Sequence, residues 1–414
     1  MPSARTRVLA CLAALVLGIA PGCGYEEKTR GKNFDGPWAR HTIDDAEKGA
    51  DGVRVADVNG DGLPDVATGW EQQGVTRAYL HPGYAAVKEP WPAVTVGRTG
   101  DVEDAVWVDI DGDGQLDVVS SCEGATRKVF VNFAPSDPSR LLDPSAWDSE
   151  AIPATEGHHW MYAVPMDVDH RNGIDLVVGS KRLRGMIAWL ESPPDPRDMA
   201  AWKLHEISPA GWVMSLDVLD MNGDGIPDVL VSDRTRAKSN GVRWLERPSD
   251  PSLLDGLWIN HDIGAKNRNP TFIAPVRDGD APPAGIVVPS GARRLTLFER
   301  MDAGGIDWNP EVIPYPHHVG NPKSAAVGDI DLDGIPDVVV ACTNLKDHEQ
   351  GIVWISHAAE PGDSEPVTHD LSGAQGSKYD RVELLDLDGD GDLDVLTTEE
   401  IEGFGVVWYE NPLR

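Results

Sequence analysis

Five short stretches of the chain repeat the pattern D-x-[DN]-x-D-G-x-x-D. Side-chain oxygens at positions 1, 3 and 5, a backbone carbonyl at 7 and a glycine at 6 form the first half of an EF-hand loop, and an Asp at 9 adds a further oxygen. The sets are Asp57, Asn59, Asp61, Leu63, Asp65; Asp109, Asp111, Asp113, Gln115, Asp117; Asp220, Asn222, Asp224, Ile226, Asp228; Asp329, Asp331, Asp333, Ile335, Asp337; and Asp386, Asp388, Asp390, Asp392, Asp394, the fourth of each acting through its carbonyl. Hard carboxylate and carbonyl donors in a flexible loop suit calcium better than zinc or magnesium. The spacing therefore predicts about five structural calcium sites. The bland alternative is a set of Asp-rich turns without metal; five matches in register favour the ions.

Two related stretches depart from the pattern. Around Asp167, Asp169 and Asp175, Arg171 stands at position 5 and Asn172 at position 6. Asn tolerates the left-handed turn conformation, and the expectation is that the Arg171 guanidinium takes the place of an ion and pairs with these aspartates. Near Arg277 the flanks are right but Arg277 and Gly279 occupy ligand positions, so no metal is expected.

The loops need elements to hold them. Their first aspartates, Asp57, Asp109, Asp167, Asp220, Asp329 and Asp386, are separated by 52, 58, 53, 109 and 57 residues, and the degenerate stretch near Arg277 halves the long gap. Seven units result. About 20 residues after each loop comes an apolar run (TRAYL, KVFVNF, IAWLE, VRWLE, LTLFE, IVWIS, VVWYE), then a segment usually led by Trp (WPAVTV, WDSEAI, WKLHEI, WINHDI, WNPEVI) or the Trp-less VTHDL. Each unit reads as four short strands bounded by Gly, Pro and Asp turns. Seven such units predict an all-β fold, a seven-bladed β-propeller of four-stranded blades. The last unit ends one strand short, and the matching segment PWARHTI stands at Pro37–Ile43. The ring is therefore expected to close with that N-terminal strand.

These residues resemble the FG-GAP/VCBS repeat family, over residues 37–411. The resemblance implies a seven-bladed propeller with calcium between the first two strands of a blade, as in the integrin α-chain head and some fungal lectins. It implies the same calcium ligands one by one at the positions named above.

The rest of the chain is read more coarsely. Residues 1–22 carry Arg5 and Arg7 before an apolar run too short to span a bilayer, as in a signal peptide. Ala20-Pro21-Gly22-Cys23 resembles a bacterial lipobox, so the chain is expected to be exported to the periplasm or cell surface, with Cys23 as a lipidation site and membrane contact only through that anchor. Residues 23–36 read as a linker and 37–414 as the propeller, expected as a monomer. Cys122 and Cys342 fall in non-neighbouring units, so no disulfide is expected. With 36 Lys plus Arg against 68 Asp plus Glu, the formal charge is −32, which argues against nucleic acid. The five intact loops hold eighteen of those Asp side chains, and five calcium ions would return ten positive charges.

Repeating residues belong to the scaffold. The phased Trp residues, and His41, His205, His261 and His369, are expected to pack blades. Non-repeating residues gather where each first strand begins and each second strand ends, on the face opposite the loops. Trp70, Glu71, Glu123, Trp160, Lys181, Arg182, Arg234, Lys323, Lys378, Tyr379 and Arg381 are the ligand-face candidates. Two functions fit: an exported binding or adhesion module for a glycan or an extracellular protein, which is favoured, or a carbohydrate lyase or dehydratase. In the second, His158, His159, His317 and His318 would converge on the axis as catalytic residues. No nucleophile elbow or phosphate loop supports a named reaction.

Overall fold

The computed structural model describes residues 36–234, 241–346, 348–356 and 366–414. The signal segment, Cys23 and all but the last residue of the linker lie outside the described residues. Seven separate four-stranded antiparallel sheets are present. Six of them run in chain order from the axis outwards. The innermost strands of blades 1 to 7 are Ala50–Ala56, Val102–Val108, His159–Met166, Val213–Leu219, Ala274–Val276, Asn321–Gly328 and Glu383–Leu385. Blade 7 is completed by Ala39–Asp44, which pairs antiparallel with Gly405–Glu410. The expected closure by the N-terminal strand is thus the observed topology. Among the described residues helix is limited to short 3-10 turns, and none is long and apolar enough to cross a membrane.

The second strands of the blades are buried along their whole length, except for Thr343 at the end of the blade-6 strand, because they are covered on both sides by neighbouring blades. Among the described residues the core is divided. Seven apolar clusters are found, one at each blade interface. Trp189, Trp244, Trp354 and Trp408 in the third strands are at most 1% exposed. Each is paired in register with a His of the outer strand: His205, His261, His369 and His41. The ring centroids lie 4.1 to 4.6 Å apart, stacked in three pairs and tilted by 34° in His41–Trp408. His41, His205 and His261 also bond Glu410, Glu191 and Glu246 at 2.8, 2.9 and 2.6 Å. The recurring Trp and His residues are therefore packing elements. Cys122 and Cys342 are free and buried.

Candidate functional site

The Asp loops join the first and second strands of their blades. Their turns need left-handed backbone at positions 4 and 6, supplied by glycine at Gly60 and Gly62 (φ 76° and 84°) and by Leu332 and Gly334 in blade 6 (58° and 87°). In the first loop Asp57 accepts the N–H groups of Gly60, Asp61 and Gly62, and Asp61 accepts that of Leu63. Carboxylates converge to within 4.8 Å in Asp109/Asp111/Asp117, Asp167/Asp169/Asp175 and Asp329/Asp331/Asp333. In blades 2 and 7 the oxygens Gln115 Oε1, Asp388 Oδ1 and Asp392 Oδ1 are buried without a hydrogen-bond partner. A donor set made only of oxygen, with several of them unpaired, fits a hard divalent cation.

The ninth position has a second duty that its spacing does not reveal. Asp65, Asp117, Asp175, Asp228, Asp337 and Asp394 are at most 3% exposed. One carboxylate oxygen of each accepts the N–H of loop position 2 (Val58, Ile110, Val168, Met221, Ile330, Leu387) at 2.8 to 3.1 Å. In five of them the other oxygen accepts the N–H just past the third strand, from His81, Ala134, Ser192, Arg247 or Asn411. The same carboxylate thus ties the loop to its own blade. Burial pushes the Asp117 and Asp394 carboxyls up to about 7. The carbonyl of position 2 faces the other way, towards the following blade. Leu387 O accepts His81 Nε2 (3.0 Å), Val168 O accepts Arg247 Nε (2.8 Å), Met221 O accepts Arg300 Nη2 (2.6 Å) and Ile330 O accepts Asn411 Nδ2 (2.9 Å).

Blade 3 departs from expectation. The Arg171 side chain is exposed and, among the described residues, makes no ion pair with Asp167, Asp169 or Asp175; only its N–H donates to Asp169 Oδ1. His170 pairs with Asp167 instead, at 3.0 Å. His170 and Asn172 take the positive φ (58° and 56°) that positions 4 and 6 have in the intact loops. Asn172 serves as the expected left-handed residue.

The opposite face holds a cavity of about 430 Å³ on the axis, lined by all seven blades. Of the ligand-face candidates, Glu71, Glu123, Lys181, Arg234, Lys323 and Lys378 line it. The others do not. Trp70 and Trp160 are fully buried between blades and donate to Tyr79 Oη and Thr155 O, because an indole is worth more in an interface core than in water. Tyr379 is likewise buried, bonded to Tyr409 Oη. Arg381 is tied to Glu383 at 2.7 Å, and Arg182 is an exposed rim residue 3.9 Å from Glu123. The histidine pairs do not converge. His317 and His318 are exposed, and His158 packs on Trp160. His159 alone approaches, 3.5 Å from Glu123.

Strand bulges explain how the cavity is built, and of the residues they place there Met161 and Met214 were missed in the sequence. The first strands of blades 2, 3, 4 and 6 are bulged near their start, and the extra residues are Glu103, Met161, Met214 and Lys323. All four line the cavity. A bulge re-aims a side chain out of the alternating pattern, so period-2 reading places these residues in the sheet instead of on the axis. Met161, Met214, Tyr162 and Phe272 make the apolar part of the lining.

The lining carries charge of both signs. Lys181 Nζ lies 3.1 Å from Glu103 and 2.9 Å from Glu123. Lys323 pairs with Asp380, and Lys378 with Glu400. Burial and the nearby Glu123 carboxylate push Glu103 up to about 8. Against its own burial, hydrogen bonds from Glu103 and Lys181 hold Glu123 down to about 2. Asp51 and Asp380 repeat the arrangement: burial and Asp380 raise Asp51, while Lys323 keeps Asp380 low despite burial. Burial and the Lys323 ammonium lower Lys378. Trp212 lies between two of the cations, with Lys181 Nζ 4.7 Å and the Arg234 guanidinium 4.5 Å from its ring centroid.

The FG-GAP-like repeat family matches residues 57–120 and 329–397, which contain the Asp loops of blades 1, 2, 6 and 7. The matches and the seven-bladed propeller around them are consistent with an FG-GAP repeat propeller. No curated protein sequence matches it. Among solved structures it is similar to BBS1N in complex with ARL6DN, soaked with mercury, at 10% identity and a TM-score of 0.51 over 90% of this chain and 100% of that one. It is also similar to the Dos1 propeller, at 10% identity and a TM-score of 0.49 over 84% of this chain and 75% of that one. A luciferin-regenerating enzyme is similar at 13% identity and a TM-score of 0.43, over 90% and 94%. At 10% identity the likeness to BBS1N is one of fold.

Proposed function

We propose that the chain is an exported binding module for a glycan or an extracellular protein, with the axial cavity as its binding surface and calcium in the intact Asp loops as a structural support. The observation that carries the reading is the cavity itself. Seven blades that otherwise repeat one another contribute different charged, aromatic and thioether groups there, several of them aimed by bulges. Variation confined to one face of a repeat scaffold is how such scaffolds acquire a ligand. BBS1N is in complex with a protein, ARL6DN, so proteins belong beside glycans in the test. Glycan and protein arrays are to be probed with the calcium-loaded chain and with Trp212→Ala, which removes the ring that Lys181 and Arg234 lie against. Hits abolished by Trp212→Ala support the reading; no hits, or hits indifferent to the substitution, remove it.

A second reading, an enzyme acting on carbohydrate, draws support from Glu103 and Glu123, whose opposite protonation states are those of an acid beside a base. Turnover of a glycan that is lost in Glu103→Gln supports that reading.

A further inference from the structure

Among the described residues eleven large hydrophobic side chains are exposed. Single exposed apolar residues are ordinary; the placement of these is not. Six of them, Tyr84, Leu142, Leu253, Leu257, Met301 and Ile306, lie in the connections from third to outer strand, and Ile259 and Val367 begin outer strands. Leu183 and Ile401 alone lie in the turns of the cavity face. The connections belong to the Asp-loop face. Tyr84 covers Gly389 of the blade-7 loop, where an added Cβ would come within 2.8 Å of its ring. Arg197 pairs with Asp111, and Arg300 bonds Met221 O.

Two connections are built to present a leucine. In blade 4 Asp250 accepts the Ser252 N–H and hydroxyl (2.9 and 2.8 Å) and so fixes the 3-10 turn Pro251–Leu253. Leu254 anchors that turn at 4% exposure, while Leu253 stands 57% exposed. Blade 2 repeats the device with Asp137, Ser139, buried Leu141 and exposed Leu142. Leu253, Leu257 and Ile259 line, with Pro248, a hollow of about 360 Å³. Its two carboxylates are already engaged, Asp250 by the turn and Glu246 by His261.

The chain enters the ring on the same side. Trp38 donates its N–H to Leu371 O as Trp91 and Trp258 donate theirs to Ile43 O and Ile207 O. Pro37 therefore holds the place that Leu257 holds in blade 4. Residues 24–36 separate Cys23 from this point, at most about 45 Å of extended chain. We propose that the Asp-loop face lies against the bilayer holding the anchor expected at Cys23, with the rim side chains, Leu253 and Leu257 foremost, seated in its interfacial region. Apolar groups spread around one face of a ring meet a plane together, whereas a globular partner would reach only some of them. A tether keeps the ring concentrated at the surface, so a few such groups suffice to orient it. The cavity then faces away from the membrane. A formal charge of −32 favours uncharged headgroups over anionic ones.

The inference goes beyond the cavity reading and rests on the anchor. The described residues complete all seven blades, so a chain starting at Cys23 keeps the ring. With Cys122 and Cys342 buried, Cys23 is the thiol that couples to a maleimide-bearing lipid in phosphatidylcholine vesicles, which supplies the tether directly. Hydroxyl-radical footprinting of the calcium-loaded chain, tethered and free, is read by mass spectrometry. Relative to Leu183 and Ile401, the tethered chain is expected to oxidise at least threefold more slowly at Leu253, Leu257 and Met301. Leu253→Glu with Leu257→Glu, both exposed changes, is expected to return Met301 to the free rate. Equal slowing on both faces, or more on the cavity face, overturns the inference. Slowing without vesicles as chain concentration rises assigns the surface to a second copy and overturns it too. Either failure leaves the array result at the cavity intact.

Discussion

Glu103 and Glu123 stand beside one lysine, and that shortage of positive charge sets how the cavity responds to pH. Glu103 titrates near 8 in the folded chain against an ordinary 4.5. Between those values the folded chain keeps a proton that the unfolded chain has lost, so its contribution to stability falls as pH rises through the window. Glu123 works in the opposite sense, contributing stability above 4.5 that is lost only as pH falls towards 2. The melting temperature is therefore expected to decline from pH 5 to 8.5, and Glu103→Gln, which keeps the hydrogen bond to Glu123 and cannot ionise, is expected to flatten that decline. Glu123 is ionised throughout that window, so the decline is set by Glu103. Thermal melts at fixed calcium across that range check it; parallel curves for the two proteins contradict it. The ninth-position aspartates separate in the same way from their loop neighbours. In chelator, Asp117→Ala orphans two buried N–H groups and is expected to cost about 2–4 kcal/mol. Asp113→Ala, exposed and bonded only within the turn, is expected to cost under about 1 kcal/mol there. Denaturant titrations without calcium decide whether the two differ.

At the level of elements, the sequence was readable where residues repeat. The Asp loops, the Trp runs and the in-phase histidines fall in the strands and turns their spacing implied, because each blade solves the same packing problem and repeats its answer. The N-terminal strand was legible through a deficit at the other end, and its register with the last strand, Ala39 opposite Glu410 and His41 opposite Trp408, is the structural counterpart. A chain beginning at Ala46 is expected to lose its cooperative melt, followed by circular dichroism; an unchanged transition sinks the closure. The cavity was legible only in part. Glu71, Glu123, Lys181, Arg234, Lys323 and Lys378 were found because they break the repeat at strand ends. Met161 and Met214 were hidden, because a bulge moves a residue to the other face without changing its type. Trp70, Trp160 and Tyr379 were misplaced for the converse reason: large aromatics at strand ends also close the interfaces between blades.

For the whole molecule, charge and closure are one problem. A chain with a formal charge of −32 gathers acid in turns at one end of its ring, where like charges repel unless an ion or a counter-cation intervenes. Two counter-cations are already present: Arg197 lies 2.6 Å from Asp111, and Lys88 lies 3.5 Å from Asp388, both reaching across from the following blade. Removing calcium is expected to lower the melting temperature, and 0.5 M sodium chloride to recover part of the loss by screening. Melts in chelator with and without salt measure this, and indifference to both chelator and salt counts against ion-supported loops.

The bonds from one blade's side chain to the preceding loop's carbonyl are unevenly distributed. Blade 7, where the chain's two described ends meet, has them on both flanks, through His81 to Leu387 and Asn411 to Ile330. At the matching position blade 2 has Ala134, with no side-chain donor, and blade 3 has Ser192, whose hydroxyl is buried without a partner. The covalent gap in the ring thus lies in a blade fastened on both flanks, as blade 4 also is. A circular permutant that moves the termini to the connection between blades 1 and 2 would put the gap at an unfastened joint, and such a ring should spring open at lower force under optical tweezers than the native order, though its strands and its cavity are the same.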